Sequence, residues 1–400
     1  MKFVNGSICA PQGFKASALS VPIRKPKKDL ALIFSNSGAC AAGVFTKNKA
    51  MAAPIYWCKK HLDESPLFKA ILVNSGNANA CTGEQGVKDC ETLIQETAKL
   101  LSINPNEILI GSTGVIGQFL PLEKMKGKLP DLVSLLSENA SDDVAEAIMT
   151  TDLVKKECAV EIEISGKRVL IGGVAKGSGM IAPNMATMLA FITTDIAISQ
   201  PLLQKALSTA NAKSFNRISV DGDESTNDMA LVLANGMAKN EIIETETVDY
   251  IIFETALEAV MTDLAKKIVR DGEGATKFVE IIITGAESEA EAEVFARTVA
   301  ESSLVKTALH GEDANWGRIM AALGYAGQQF KPEEVEISFG AIPILKKNFE
   351  IVLDESKAKA ELSKTDLTLL INLNQGNQSA TFWTCDLSAK YVEINGSYRS

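Results

Sequence analysis

Residues 176–195 carry the residue types best suited to covalent chemistry in this chain. They read KGSGMIAPNMATMLAFITTD, a glycine-rich turn followed by an apolar run with Thr187 near its centre. A β-branched threonine in such a run is most often a packed strand residue. Threonine becomes a nucleophile when a base lies beside it, and its own α-amine is such a base once the chain is cut before it. That amine titrates near pH ~8 in model compounds, so it can accept a proton close to neutrality.

Histidine is scarce, with only His61 and His310 among the 400 residues. An imidazole-rich metal centre is therefore not expected, and a Ser-His-Asp triad has two candidates for its base. An acyl transfer in this chain is expected to use a base other than histidine, and the α-amine of an N-terminal threonine is such a base.

The segment around Thr187 is similar to the cleavage and nucleophile motif of the glutamate N-acetyltransferase family (ornithine acetyltransferase) of arginine biosynthesis. The resemblance runs from residues 43–50 (GVFTKNKA) to Ser400, with several long motifs in family order. It implies scission between Ala186 and Thr187, giving an α chain of residues 1–186 and a β chain of residues 187–400. It also implies a smaller C-terminal α+β subdomain from about residue 280.

A second glycine-rich segment, GSTGVIG at residues 111–117, follows a short apolar stretch. Glycine turns can aim several backbone N–H groups at one oxyanion or phosphate, although an ordinary turn is the commoner meaning. The GK[ST] of a Walker A sequence is missing. The family resemblance implies an oxyanion hole here, with the Thr113 hydroxyl and the Gly114 N–H as donors.

The resemblance also implies a set of substrate-binding residues: Thr150, Lys176, Thr187, Glu273, Asn395 and Ser400. Taken alone, Thr150 would be a helix terminus, Lys176 a surface cation and Glu273 a turn carboxylate. In the family reading, Lys176 pairs with a substrate carboxylate and Glu273 faces the amine end of ornithine. Ser400 stands where threonine is commoner in the family, and serine keeps the hydroxyl.

Two polar segments resemble family signatures without a catalytic assignment. Residues 73–86 (VNSGNANACTGEQG) are dense in asparagine and predict a strand-to-helix turn with capping residues. Residues 214–230 contain four acids that could ligate calcium or magnesium, but their spacing is not that of an EF-hand. We expect no metal, and a supporting role behind the threonine, for these acids: Asp221, Asp223, Glu224 and Asp228.

Composition limits the partners and the compartment. The net charge of −10 and the pI near 5.0 argue against nucleic acid or an anionic membrane as the main partner. Seven scattered cysteines without a CxxC pair indicate free thiols in a reducing compartment. With no apolar signal core and no run of membrane-spanning length, we expect a soluble cytoplasmic protein.

Periodicity predicts both strands and helices, and hence an α+β or α/β-layered fold. Strands are predicted at residues 30–34, 70–73, 108–110, 159–164, 169–171, 349–353, 367–373 and 381–387, the last two joined by a hairpin turn at 374–377. Helices are predicted at residues 84–101, 201–212, 248–269 and 287–309, and from about 315. The apolar face of the first helix is expected to contain Val87, Cys90, Ile94 and Leu101. The resemblance implies sheets sandwiched between helices, as in the ornithine acetyltransferase and DmpA-like fold.

The resemblance implies acetyl transfer from N2-acetylornithine to glutamate by double displacement through an acyl-threonine. No cofactor is expected, acetyl-CoA is an open alternative donor, and two α and two β chains are expected to form a heterotetramer. Two other functions remain open. One is a self-processing aminopeptidase or amidase, and the other is an uncleaved binding protein without catalysis.

Overall fold

Strands and helices alternate along the computed structural model, which describes residues 1–23, 26–182 and 188–397. The strands in these ranges are β1 Lys2–Phe3, β2 Phe14–Leu19, β3 Leu30–Phe45, β4 Phe68–Asn74, β5 Ile108–Ser112, β6 Lys156–Ile164, β7 Lys167–Lys176, β8 Leu189–Thr194, β9 Ile218–Ser219, β10 Met229–Ala234, β11 Phe278–Ala286, β12 Glu336–Phe339, β13 Ile342–Lys346, β14 Glu350–Ile351, β15 Asp366–Asn372 and β16 Gln378–Cys385. The α-helices are α1 Ala53–Glu64, α2 Gly83–Leu101, α3 Leu122–Ser134, α4 Ser141–Ala147, α5 Gln200–Lys213, α6 Val248–Arg270, α7 Glu289–Glu301, α8 Ser303–His310, α9 Trp316–Gly324, α10 Glu355–Leu362 and α11 Ala389–Gly396.

The chain divides into two compact units, each with its own sheet. As far as they are described, the first comprises residues 1–177, 183–216 and 224–268, and the second residues 178–182, 217–223 and 269–400. A division into compact units does not show whether the chain is cut, so the α and β chains stay a prediction.

The first unit contains a nine-stranded mixed sheet whose main path is β1-β6-β7-β8-β10-β3-β4-β5, with β2 also paired to β3. Antiparallel pairing sets Lys176 of β7 opposite Leu189 of β8, and parallel pairing sets Leu189 opposite Met229 of β10. The end of β7 and the beginnings of β8 and β10 therefore lie at one edge of this sheet. Near-continuous apolar sequence in β4, β5, β8 and β10 matches strands that are buried on both faces.

Helix α6 in the first unit confirms the longest predicted apolar stripe. Its residues recur at spacings of three and four, as expected for one face of a helix, and all are fully buried: Phe253, Leu257, Val260, Leu264 and Ile268. Helix α2 also forms where predicted, but its apolar face was partly wrong. Val87 is 39% exposed, whereas Leu93 and Ala98 are buried. The buried face of this helix is therefore rotated relative to the predicted face.

The second unit contains a seven-stranded sheet in the order β14-β13-β12-β15-β11-β16-β9. The predicted hairpin at residues 374–377 is wrong, because β11 lies between β15 and β16. It pairs with β15 in parallel and with β16 in antiparallel orientation. A turn-forming sequence between two strands does not reveal a third strand inserted between them.

Two further predictions in the second unit needed correction. The single helix over residues 287–309 is two helices, α7 and α8, because Ser302 leaves the helical conformation and its side chain accepts the backbone N–H of Val305. Serine is a favoured N-cap, so the break has a local cause that periodicity alone does not reveal. The strand predicted at residues 349–353 is only the two-residue β14.

No helix in the described ranges is both long and apolar enough to cross a bilayer. The seven cysteines all lie within those ranges and all are free thiols.

Candidate functional site

The predicted oxyanion segment begins where β5 ends. Thr113 is buried, and Gly114 has a φ of +132°. A Cβ at position 114 would lie 2.3 Å from the carbonyl carbon of Gly76 and 2.5 Å from the nitrogen of Asn77, so this position requires glycine. Among the hydrogen bonds between described residues, none has the Gly114 N–H as its donor. The segment can therefore present a backbone N–H to a ligand.

Buried asparagines support this segment from behind. Asn74 donates from Nδ2 to the Asn77 carbonyl at 2.9 Å and accepts the Ser112 hydroxyl at 2.7 Å. Asn77 in turn donates to the carbonyls of residues 118 and 119, and Asn227 donates to the Ser112 carbonyl at 2.8 Å. The sequence offered a signal for the first two, the density of asparagine at residues 73–86, but not for the individual partners.

Lys176 connects the end of β7 to the oxyanion segment. Its side chain is buried, and Nζ donates to the Thr113 hydroxyl oxygen at 3.1 Å. A hydroxyl that accepts a hydrogen bond can still donate its own hydrogen. Thr113 is therefore held by a cation while its O–H can point to another acceptor, and two predicted site residues that are 63 positions apart meet.

Asp152 fixes the third predicted residue of this cluster. Its carboxylate accepts the backbone N–H of Thr150 at 2.9 Å and that of Gly177 at 2.7 Å, and it pairs with Lys156 at 2.7 Å. Burial alone would raise the pKa of Asp152, but the charges of Lys156 and Lys176 lower it to about 2. Sequence reasoning assigned only Thr150 here and missed Asp152, which holds the backbone of Thr150 and the residue after Lys176.

The second unit contains the predicted carboxylate. Glu273 is 7% exposed, and its backbone N–H donates to the Ser178 carbonyl at 2.9 Å. Its Oε2 accepts Nδ2 of Asn395, from α11, at 2.7 Å. A Cβ at Gly179 would lie 2.4 Å from the Glu273 carboxyl carbon, so glycine at 179 leaves room for that carboxylate. Two predicted residues, 122 positions apart, are thus brought together.

Asp221 holds the short segment at residues 178–182 within the second unit. Its carboxylate accepts the backbone N–H groups of Met180 at 2.6 Å and Ile181 at 2.8 Å. Met180 has a φ of +56°, a strained value for a side chain of this kind. The Tyr391 hydroxyl also donates to Asp221, at 3.2 Å, and burial raises the pKa of Tyr391.

Two of the four acids considered as metal ligands have a different environment from the one expected of a metal site. Asp221 binds backbone N–H groups, and Asp228 is fully buried in the first unit. Among the described residues, no group of three or more His, Cys, Asp or Glu side chains is arranged to hold a metal ion.

The two histidines have local partners. His61 is buried against Trp57, with ring centroids 3.9 Å apart. His310 places Nδ1 2.7 Å from the Asp386 carboxylate, which also accepts the N–H groups of Thr276 and Lys277. Neither histidine was assigned to catalysis.

Three predicted residues lie outside the described ranges: Ala186, Thr187 and Ser400. Their roles stay predictions.

Comparison with known proteins identifies the family. The sequence model of the ArgJ family matches residues 15–400. The arginine biosynthesis bifunctional protein ArgJ of Chlorobaculum tepidum is 48% identical over 391 residues, covering 98% of this chain and 96% of that relative. The protein of the same name from Bacillus subtilis is 46% identical over 399 residues, covering 99% of this chain and 97% of its own.

A solved structure of the arginine biosynthesis bifunctional protein from Bacillus halodurans is also similar, with a TM-score of 0.52 and 46% identity. That match covers 53% of this chain and all of the solved chain. This chain thus belongs to the ArgJ family. The resemblance found in the sequence is confirmed, and so is the mixed α+β fold. The chain is an acyltransferase of arginine biosynthesis, and its chemistry is acetyl transfer.

Proposed function

We propose that this enzyme transfers acetyl from N2-acetyl-L-ornithine to L-glutamate through an acyl-enzyme on Thr187. The hydrogen bond from Lys176 to Thr113 carries the proposal, because it joins a carboxylate-binding cation to an oxyanion donor inside one buried cluster. Scission between Ala186 and Thr187 comes first and frees the α-amine that serves as base.

The first half-reaction acetylates the enzyme. The Thr187 hydroxyl oxygen attacks the acetyl carbonyl of acetylornithine, and its proton moves to the Thr187 amine. The Thr113 hydroxyl and the Gly114 N–H stabilise the tetrahedral oxyanion, and each such donor typically contributes about 2.7–4 kcal/mol. The C–N bond then breaks, and ornithine leaves with the proton from the ammonium.

The second half-reaction reverses these steps with another amine. The glutamate nitrogen attacks the acetyl ester and passes a proton to the Thr187 amine. The same two donors stabilise the second oxyanion, and collapse returns the threonine oxygen, which regains that proton. The products are N-acetylglutamate and the starting enzyme, so no redox group or cofactor enters the balance.

Substrate recognition follows from charge. Lys176 pairs with the substrate's α-carboxylate, and Thr150, fixed through Asp152, borders the same group. Glu273, held by Asn395, attracts the side-chain ammonium of ornithine. Ser400, which the sequence resemblance implies as a substrate-binding residue, is proposed as a further contact.

The length of the Bacillus halodurans chain supports the scission. Residues 187–400 would make up 214 of the 400 residues. The solved chain is matched over its whole length and covers 53% of this chain, which is the size expected for one fragment.

Donor range, assembly and location complete the proposal. Because the relatives are named bifunctional, we include acetyl-CoA as a second donor to be tested. We propose a heterotetramer of two α and two β chains, small molecules as the other partners, and a cytoplasmic location.

Intact-mass spectrometry before and after incubation with acetylornithine tests the proposal. We expect two fragments, with one acetyl group added to the fragment that begins at Thr187. Thr187→Ala should leave one full-length chain without transferase activity. Thr187→Ser keeps a hydroxyl, so this variant should retain some scission and some transferase activity. Scission that persists in Thr187→Ala would refute the assignment.

A second assay separates transfer from hydrolysis. With glutamate present, labelled acetyl should appear in N-acetylglutamate, with little free acetate. Acetate as the main product at all glutamate concentrations would favour the amidase alternative.

A further inference from the structure

One buried carboxyl near Lys176 has no part in the mechanism above. Asp228 directly precedes β10, and its side chain is fully enclosed, with 2% of the residue exposed. Its main-chain carbonyl accepts the Thr46 N–H at 3.0 Å, and the next residue, Met229, donates to the Met188 carbonyl. The strand register therefore fixes Asp228 at the edge of the sheet where β7 ends at Lys176.

The carboxyl of Asp228 is only partly satisfied. Among the described residues, Oδ2 has no hydrogen-bond partner. Burying a carboxylate oxygen without a donor is costly unless the group is protonated or meets a cation. Such a group is therefore expected to hold a proton more tightly than a fully bonded carboxyl.

Asp195 provides the contrast in the same pair of strands. It directly follows β8, is fully buried, and has both oxygens satisfied, by the N–H groups of Leu170 at 2.8 Å and Gln12 at 3.0 Å. Because β8 and β10 are parallel, Asp195 and Asp228 lie at opposite edges of the sheet. A structural role explains all the contacts of Asp195 but leaves Oδ2 of Asp228 unexplained.

The pKa values of the two carboxyls near Lys176, those of Asp228 and Asp152, are shifted in different directions. Burial raises the pKa of Asp228 well above its ordinary value, and the nearby charge of Glu224 raises it further. The charge of Lys176 and hydrogen bonds from Ser225 oppose this rise only in part. Asp152, influenced by the same lysine, is held ionised by its pair with Lys156. The two carboxyls near Lys176 therefore have pKa values shifted in opposite directions, downward for Asp152 and upward for Asp228.

We propose that Asp228 is a positioning residue that acts through Lys176, taking up a proton when Lys176 binds a substrate carboxylate and releasing it when that carboxylate leaves. The inference rests on the proposed role of Lys176. A second anion beside the ammonium repels an ionised Asp228, so binding moves one proton from solvent to Asp228, and departure returns it.

Calorimetry of ornithine binding to the cleaved enzyme measures this proton. Ornithine cannot acylate the threonine, so binding is observed alone. Titration in buffers of different protonation enthalpy should show a fraction of a proton taken up per site in the wild type. This fraction should be lost in Asp228→Asn and kept in Asp195→Asn, the matched buried control. The ligand's own amines contribute equally to all three proteins, so the difference belongs to the carboxyl.

Kinetics should show the same linkage. As the pH rises and Asp228 ionises, it competes with substrate for Lys176, so KM for acetylornithine should rise with little change in kcat. Asp228→Asn should lose this alkaline rise. A merely structural role would change both constants at every pH.

The outcomes separate the two hypotheses. Equal proton uptake in wild type and Asp228→Asn overturns the linkage. Wild-type ornithine affinity in Lys176→Met instead refutes the carboxylate-binding role that the proposed function gives to Lys176. Should Asp228→Asn not fold, difference infrared spectroscopy of the wild type decides. A protonated-carboxyl band gained on ornithine binding supports the linkage, and no such gain refutes it.

Discussion

Buried charges are compensated by different groups in the cluster around Lys176, in the first unit, and in the cluster around Glu273, in the second. The first uses other charges, because Asp152 and Lys156 form an ion pair with no exposed side-chain surface and Lys176 lies beside it. The second uses neutral donors, since the side-chain amide of Asn395 donates to the Glu273 carboxylate and backbone N–H groups donate to Asp221. Substitutions should therefore affect the two clusters to different extents.

The difference follows from the energetics of burial. Removing one member of a buried ion pair leaves the other charge without compensation, and the penalty is large. Removing a neutral donor from a carboxylate loses one hydrogen bond, which water can partly replace at an exposed residue such as Asn395. Neutral donors do not cancel the negative charge of Glu273, so this carboxylate can attract a cation.

The largest expected effect is on folding. Asp152→Ala should lower the free energy of unfolding by about 3–5 kcal/mol, because buried Lys156 loses the carboxylate of its ion pair. Denaturant titration measures it, with Glu393→Ala as the control for an exposed pair, for which about 0–1 kcal/mol is expected. Similar losses in the two variants would contradict the comparison.

The next effect is on the rate. Gly114→Ala should lower kcat by about 100- to 1000-fold, because its Cβ collides with Gly76 and displaces one oxyanion donor. Gly117→Ala is a matched control in the same loop. It also has a positive φ, of +79°, but no atom lies within 4 Å of its added Cβ, so it should affect stability more than rate. Equal kcat in the two variants would argue against the oxyanion assignment.

Acid should weaken the first cluster. The pKa of Asp152 falls from 3.8 to about 2 on folding, so its contribution is complete above the unfolded value and is lost as the pH falls through the folded one. We expect about 2 kcal/mol of stability to disappear across this window in the wild type. Asp152→Asn should be less stable throughout and should lack this part of the pH dependence. Parallel stability curves would show that Asp152 does not titrate in this way.

The smallest effect is expected in the second cluster. Asn395→Ala should raise KM for acetylornithine by several-fold, about 1 kcal/mol, by removing one donor from Glu273. Val392→Ala, on the same helix and exposed, is the control and should leave KM unchanged. A KM equal to that of the wild type in Asn395→Ala would remove this residue from the proposed site.

Sequence reasoning succeeded where one periodic pattern is buried on one face. The α6 stripe is the clearest example, because all five of its residues are fully buried. It failed where the outcome depended on distant residues. The turn at 374–377 could not reveal that β11, nearly 100 residues earlier, lies between β15 and β16. The break at Ser302 was local but is invisible to periodicity.

The candidate site shows the same limit. Motif resemblance singled out Thr113, Lys176, Glu273 and Asn395, and the structure joins them in two pairs. It did not single out Asp152 or the supporting asparagines, whose importance comes from burial and from partners far along the chain. Asp228 was considered as a metal ligand and then given only a general supporting role behind the threonine, because no pattern of residue types indicates an unpartnered oxygen.

The distribution of the thiols has a practical consequence. Of the seven cysteines, all described, only Cys81 is exposed, and burial raises the pKa of others, such as Cys9 and Cys40 to about 11 and Cys58 to about 12. Thiolates are the reactive form, so an alkylating dye should label Cys81 far faster than the rest. Cys81 lies four residues after Asn77, which bonds to the loop that follows the oxyanion segment. The native chain thus carries one preferred attachment point for a fluorophore, four residues from an asparagine that supports the candidate site, without engineering.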